Sequence, residues 1–181
     1  MRIVGGRLRG RVLAAPKSQA IRPTADRLRE TLFNILIHAY GDPVSGARVL
    51  DLFAGTGALG LEALSRGARS ADFVETRPAS LHALKANVIA LRARDRTRVF
   101  KRDALPFAAA LAADAYDVAF VDPPYGSRML DRVIETWEAR RFARVLVAEH
   151  ARTHELPPGG RRWLFDETAV TIYRASPLRS G

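Results

Sequence analysis

Residues 119–127, Ala-Phe-Val-Asp-Pro-Pro-Tyr-Gly-Ser, run an apolar segment into a carboxylate, two prolines and an aromatic ring. Each proline lacks an amide donor and fixes its own φ, so the pair ends regular structure. Pro124 also drives Pro123 toward an extended conformation. The outcome is a stiff peptide whose carbonyls lie outside any helix. It falls at the expected exit of a buried strand, where open α/β sheets bind their ligands. Taken alone it would serve equally well as a stiff strand-to-helix turn, so the surrounding residues must decide.

A second cluster supplies context. Gly55, Gly57 and Gly60 form a Gly-x-Gly-x-x-Gly loop between a strand pattern and a helix pattern, with Glu75 in the position of a ribose-binding acid. Glycines let the backbone turn tightly and approach a ligand at a helix N-terminus. That demand is shared by nicotinamide dinucleotides and S-adenosylmethionine. Asp51, just ahead of the loop, discriminates between them. A carboxylate there repels a pyrophosphate and favours a cationic ammonium or sulfonium, although it could also simply cap the loop amides. Asp103 could accept from an adenine amine or act as the N-cap of the next helix. Asp51, Glu75, Asp103 and Asp122 thus end four successive strand candidates.

The elements that must position these acids alternate. Strands are predicted at 47–53, 70–75, 97–101, 116–121 and 144–149, with helices near 58–66, 78–91, 103–113 and 127–140. Such alternation predicts an α/β fold with a parallel sheet covered on both faces. Beyond Pro157-Pro158-Gly159-Gly160, two strand-like runs are expected to close the sheet as an antiparallel pair. Upstream, the glycine-interrupted residues 2–16 read as a small irregular β segment. Pro23-Thr24 predicts a helix start with Thr24 as N-cap. Leu28, Leu32, Ile35 and Leu36 carry that helix to about His38. Arg27 and Arg29 are expected on its solvated face. The chain thereby divides into a basic extension, 1–41, and a ligand-binding domain, 42–181.

Composition narrows the function classes. A chain of 181 residues, 48% hydrophobic, can bury a sizeable core. No apolar run reaches the length of a membrane span, and no apolar stretch follows the charged N-terminus as in a signal peptide. The absence of cysteine excludes disulfides, thiolate zinc sites and a cysteine nucleophile, and suits a cytoplasmic protein. His38, His82, His150 and His154 are scattered, so no metal is expected. A net charge of +10 favours a polyanionic partner. Residues 1–29 hold eight basic side chains against the single acid Asp26. That concentration is more than a solvated surface needs; were the partner RNA, Arg2, Arg7, Arg9 and Arg11 would grip its phosphates.

The loop DLFAGTGALG resembles the cofactor loop of class I S-adenosylmethionine-dependent methyltransferases, and DPPY resembles their motif for methylating exocyclic or amide nitrogens. RIVGGRLRGRVL, RPTADRLRETLFNIL, LDLFAGTGALGLEALSRGA and FVDPPY, in that order, resemble the RsmD family across most of the chain. The resemblance is weakest after Pro157. It implies a Rossmann-like, seven-stranded, mostly parallel doubly wound sheet with an antiparallel last strand. The implied reaction is methylation of the exocyclic N2 amine of one guanine in 16S rRNA, guanine 966 in the family. Substrate and setting would be rRNA within the small ribosomal subunit, in the cytoplasm, with the enzyme a monomer needing no metal. By resemblance Asp51, Phe53, Ala54, Gly55, Thr56 and Gly57 hold the methionine portion of the cofactor. Glu75 takes the ribose hydroxyls, Asp103 and Ala104 the adenine, and Asp122, Pro123, Pro124 and Tyr125 the target base. Arg22 and Thr24 would lie near the mouth of the site.

The residue types fit that chemistry. An exocyclic amine is a poor nucleophile because its lone pair is delocalised into the ring. Accepting hydrogen bonds from both N–H groups, at the Asp122 carboxylate and the Pro123 carbonyl, favours a pyramidal nitrogen. Rigid acceptors need no reorganisation during reaction. Tyr125 would stack on the base. A DNA adenine-amine methyltransferase shares DPPY, but little chain remains for a DNA-reading module. A protein-glutamine methyltransferase suits the basic charge less well. A nicotinamide oxidoreductase leaves Asp51 and DPPY unexplained, and a cofactor-free RNA-binding module leaves the four strand-end acids unexplained.

Overall fold

The computed structural model describes residues 1–17 and 23–176. Its helices are α1 Pro23–Ala39, α2 Ala58–Ser65, α3 Pro78–Ala90, α4 Ala104–Ala109 and α5 Met129–Arg140. The strands are β1 Arg48–Leu52, β2 Ser70–Val74, β3 Thr97–Phe100, β4 Tyr116–Val121, β5 Ala143–Ala151, β6 Arg161–Phe165 and β7 Thr168–Arg174. They form one seven-stranded sheet in the order β3-β2-β1-β4-β5-β7-β6. The first five are parallel; β7 runs antiparallel to both β5 and β6. The expected mostly parallel sheet with an antiparallel last strand is therefore present.

Alternation along the strands builds two cores. Val49, Phe73, Val118, Phe120, Val145 and Val147 face one side, against Leu32, Phe33 and Leu36 of α1, Leu61 and Leu64 of α2, and Leu84 and Val88 of α3. Leu50, Leu52, Val74, Ala119, Val121 and Leu146 face the other, against Phe107 of α4 and Val133, Ile134 and Trp137 of α5. Period-two patterning on a sheet buried on both faces puts adjacent residues into opposite cores. Strand order reverses at β1, so the crevice beyond β1 and β4 is the expected ligand position in such sheets.

The N-terminal segment packs into the first of these cores through the buried Ile3 and Leu13. A bridge between Arg2 and Val12 closes it into a small loop. Its attachment to α2 is polar and specific. The fully buried Glu62 accepts the amides of Val4 at 3.0 Å and Gly5 at 2.8 Å. It is also paired with Arg66 at 2.9 Å and Arg29 at 3.6 Å. Gly6, at φ 75°, lies so close that an added Cβ would sit 2.1 Å from the Ser65 carbonyl oxygen. Only glycine allows that approach.

Three expectations need correction. Arg29 is not on a solvated face: it is 4% exposed and binds Asp26, Glu62 and the carbonyl of Arg2. Its partner Glu62 lies far along the chain, beyond the reach of helical periodicity. Helix α1 begins at Pro23, so Thr24 lies in its first turn rather than at the cap. Helix α4 stops at Ala109, short of residue 113, where an exposed alanine-rich run has no apolar face to pack.

Candidate active site

The cofactor-side loop starts from strain. Phe53, leaving β1, has φ 58°, uncommon for a bulky residue and frequent at sites where a turn must re-aim the chain. Gly57, at φ 85°, then leads into α2; a Cβ there would lie 2.4 Å from the Leu84 side chain. Asp51 is buried at the end of β1 and accepts the Gly60 amide of α2 at 3.0 Å. It therefore caps the loop helix from outside and holds the loop against the strand. Burial pushes its carboxyl well above the ordinary range; the Gly60 bond opposes the shift, and Asp122 and Glu75 add to it.

Glu75, at the end of β2, accepts the Gly55 amide at 2.8 Å, the Thr76 amide at 2.8 Å and the Arg77 amide at 2.9 Å. The Arg77 guanidinium lies 3.2 Å away. Burial alone would raise this carboxyl, but the bonds from Arg77 and Gly55 outweigh it and hold it low. Asp103 occupies the N-cap position of α4 yet makes no capping bond with its side chain, leaving an exposed carboxylate beside the buried Ala104.

Asp51, Phe53, Ala54, Gly55, Thr56 and Asp122 line one cavity of about 210 Å³. Arg29, Arg77, Met1 and Glu149 complete much of its wall. Gly57, Glu75, Asp103 and Ala104 are not part of this lining: the first two support it from behind, and the last two sit at the neighbouring strand end. A smaller hollow is lined by Asp122, Pro123, Pro124 and Tyr125, with Glu149, His150 and His154 opposite. Asp122 and Glu149 are the residues common to both. The cavity beside Gly55 and the Pro-Pro hollow thus adjoin at Asp122 and Glu149.

In that segment Ser127 donates its hydroxyl to the Pro124 carbonyl at 2.9 Å, which fixes the turn. Among the described residues no protein group donates to the Pro123 carbonyl. Tyr125 is 63% exposed, tethered by a 3.2 Å contact between its hydroxyl and Thr168. Loss of solvation against the cleft wall raises Asp122 to about 6, with Arg77 pulling it back. Glu149 is raised to about 8 by burial and by Asp122, against the pull of Arg29.

Glu149 and Arg77 were not anticipated. The signal for Glu149 was available: it is a fifth acid near a strand's C-terminal end. Arg77 carries no motif. Arg2, Arg7, Arg9 and Arg11 are all exposed on the N-terminal segment, and Arg22 lies outside the described residues. Among the described residues no group of His, Asp and Glu has the arrangement of a metal site, and no helix is long and apolar enough to cross a membrane. A broader groove of about 920 Å³ opens at the opposite ends of the strands; of its lining aspartates Asp42, Asp114 and Asp117, the last is paired with Arg48 at 3.3 Å.

Comparison with known proteins places this geometry. Residues 1–165 match the family model described as Conserved hypothetical protein 95. The chain is 44% identical over 138 residues to the ribosomal RNA small subunit methyltransferase D of Escherichia coli K12, covering 76% of this chain and 67% of that protein. It is 34% identical to YlbH of Bacillus subtilis, a candidate rRNA methyltransferase, covering 96% of this chain and 98% of that one. Among solved structures, the candidate methyltransferase yhhF of Escherichia coli superposes with a TM-score of 0.80 at 35% identity, covering 96% and 97% of the two chains. The Thermus thermophilus 16S rRNA N2 G1207 methyltransferase RsmC, in complex with AdoMet and guanosine, shares the fold with a TM-score of 0.67 at 22% identity, covering 88% of this chain and 45% of that one. A strand-end cradle joined to a rigid Asp-Pro-Pro-Tyr edge, on a chain matched from its first residue, makes this protein a member of the Conserved hypothetical protein 95 family, the RsmD-type rRNA methyltransferases.

Proposed function

We propose that the protein methylates the exocyclic N2 amine of one guanine in 16S rRNA, corresponding to guanine 966, using S-adenosylmethionine. The observation that carries this reading is the position of Asp122, which walls both the glycine-loop cavity and the Pro-Pro hollow. An acceptor there can hold an amine next to the cavity proposed for the cofactor. Asp51 and the loop from Phe53 to Thr56 line the cavity that suits the methionine end; Glu75, bound to the Gly55 amide behind that lining, is the proposed ribose acid, and Asp103 with Ala104 the proposed adenine contacts. The cofactor supplies an electrophilic methyl on a positively charged sulfur.

The protein's own work is positioning. Asp122 and the free Pro123 carbonyl accept the two amine hydrogens, and the prolines prevent either acceptor from moving away. Tyr125 offers its exposed ring to the unstacked base; such stacking contributes roughly 1–3 kcal/mol. Holding amine and methyl in line supplies much of the acceleration. Residues 1–41 form the RNA-contacting part, with Arg2, Arg7, Arg9 and Arg11 on phosphates; the proposed RNA contacts Arg22 and Thr24 belong near the mouth of the site. The substrate is rRNA in a partly or fully assembled small subunit, met in the cytoplasm by a monomer that needs no metal.

The rRNA methyltransferase relatives favour this over the nicotinamide and DNA-adenine alternatives. The test is mass mapping of 16S rRNA from a strain lacking the gene, with the protein added back. One guanine should gain a single methyl on N2. A methyl on another base or atom, or binding of NAD in place of S-adenosylmethionine in calorimetry, would overturn the reading.

A further inference from the structure

Glu149 stands beside Asp122, just past the paired stretch of β4 and β5. It walls both the cofactor cavity and the base hollow, a position shared only with Asp122. Among the described residues neither carboxyl accepts a hydrogen bond from the protein or forms an ion pair. Two adjacent carboxyls with no donors between them are costly, because like charges held together in a partly desolvated cleft repel. Asp122 is exposed and Glu149 half-buried, so water satisfies them in the free protein, and a ligand that displaces that water must bring donors of its own.

The chemistry of the ligand follows from the pattern. Two neighbouring acceptors suit an edge with neighbouring N–H donors. Guanine has such an edge, N1–H next to the N2 amine. Adenine and 2,6-diaminopurine instead place a lone pair at N1. We propose that Glu149 reads the N1–H of the target guanine while Asp122 holds the N2 amine, making Glu149 the residue that selects guanine over purines with an unprotonated N1. This rests on the guanine-methylation reading above and deepens it. In the free protein Asp122 raises and Arg29 lowers the proton affinity of Glu149, and Arg77 lowers that of Asp122. A bound N1–H replaces the missing donor and favours the ionised form.

The test compares guanine with 2,6-diaminopurine, which keeps the reactive amine but loses N1–H. Small-subunit particles are reconstituted from rRNA carrying either base at the mapped position, introduced on a ligated synthetic segment. Methyl transfer is measured near neutral pH, where guanine keeps its N1–H and the bound N1–H favours the ionised form of Glu149. The wild-type protein should prefer guanine by roughly tenfold to a hundredfold in kcat/KM, the scale of a polar group left facing the wrong partner. Glu149→Gln can offer N1 either an oxygen or an NH₂ group, so its preference should fall below about threefold. Glu149→Asp should retain the preference at a lower rate, showing that the change is one of recognition rather than folding. If wild type methylates the guanine but Glu149→Gln keeps the full preference, the assignment of Glu149 fails and the enzyme's reaction stands. If wild type places no methyl on guanine N2, the reaction itself is wrong and the Glu149 assignment falls with it.

Discussion

The ends of β1 and β2 and the ends of β4 and β5 all carry acids into one crevice, yet the two halves treat them in opposite ways. In the first half every carboxylate is committed. Asp51 holds the Gly60 amide, and Glu75 holds three amides and a guanidinium. These bonds shape the glycine loop. In the second half Asp122 and Glu149 line the cleft, and among the described residues neither has a protein donor. The contrast separates scaffold from reagent: satisfied acids fix geometry, and unsatisfied acids wait for a ligand.

The largest effect should come from the reagent half. Asp122→Ala is expected to cut methyl transfer by about a thousandfold, as loss of one preorganised polar contact can. Its melting temperature and S-adenosylmethionine affinity, read by calorimetry, should barely change. Near-normal turnover would erase the distinction. Glu75→Ala should do the reverse, costing about 2 kcal/mol of stability in denaturant titration because several charge-assisted bonds are lost. It should also weaken cofactor binding. If stability were untouched, Glu75 would belong with the reagents.

Acid and alkali sharpen the comparison further. Glu75 is held low in the fold, so its contribution is complete above the ordinary glutamate range and disappears as pH falls through its lowered value. Glu149 is raised, so its contribution is complete below about 4.5 and is lost as pH rises toward about 8. Melting curves should accordingly flatten on the acid limb in Glu75→Gln and on the alkaline limb in Glu149→Gln. The smallest effect on chemistry belongs to the N-terminal surface. Neutralising Arg7, Arg9 and Arg11 should leave turnover at saturating RNA nearly intact. The salt dependence of RNA affinity should become shallower by about one per phosphate contact removed. An unchanged slope would disconnect those arginines from RNA.

The sequence makes some of this division legible. Asp51, Glu75 and Asp122 stand out because each ends an apolar run next to a loop or proline motif, and strand alternation predicts the parallel sheet that gathers them. Glu149 is a fifth acid near a strand end, a weaker signal than the others because β5 runs past it to Ala151 and no glycine or proline motif follows it. Arg77 escapes because a loop arginine two residues after an acid looks like surface charge. Arg29 is misread for a deeper reason. Helical periodicity describes one helix at a time, whereas burial of Arg29 depends on Glu62 of α2 reaching across to it. Whether an acid is committed or free is likewise invisible in one dimension, because it depends on which amides the fold brings within 3 Å.

Strand β7 follows β6 in the chain but lies inside the sheet, between β5 and β6, and its first residue, Thr168, touches Tyr125. During translation the aromatic platform therefore loses its tether until that late strand has emerged and slotted in. A polypeptide truncated before Thr168 would carry a floppy tyrosine and a bare β5 border, an open template for stray strand pairing. Nonsense or frameshift products of this gene should accordingly be sticky and inert rather than partly active.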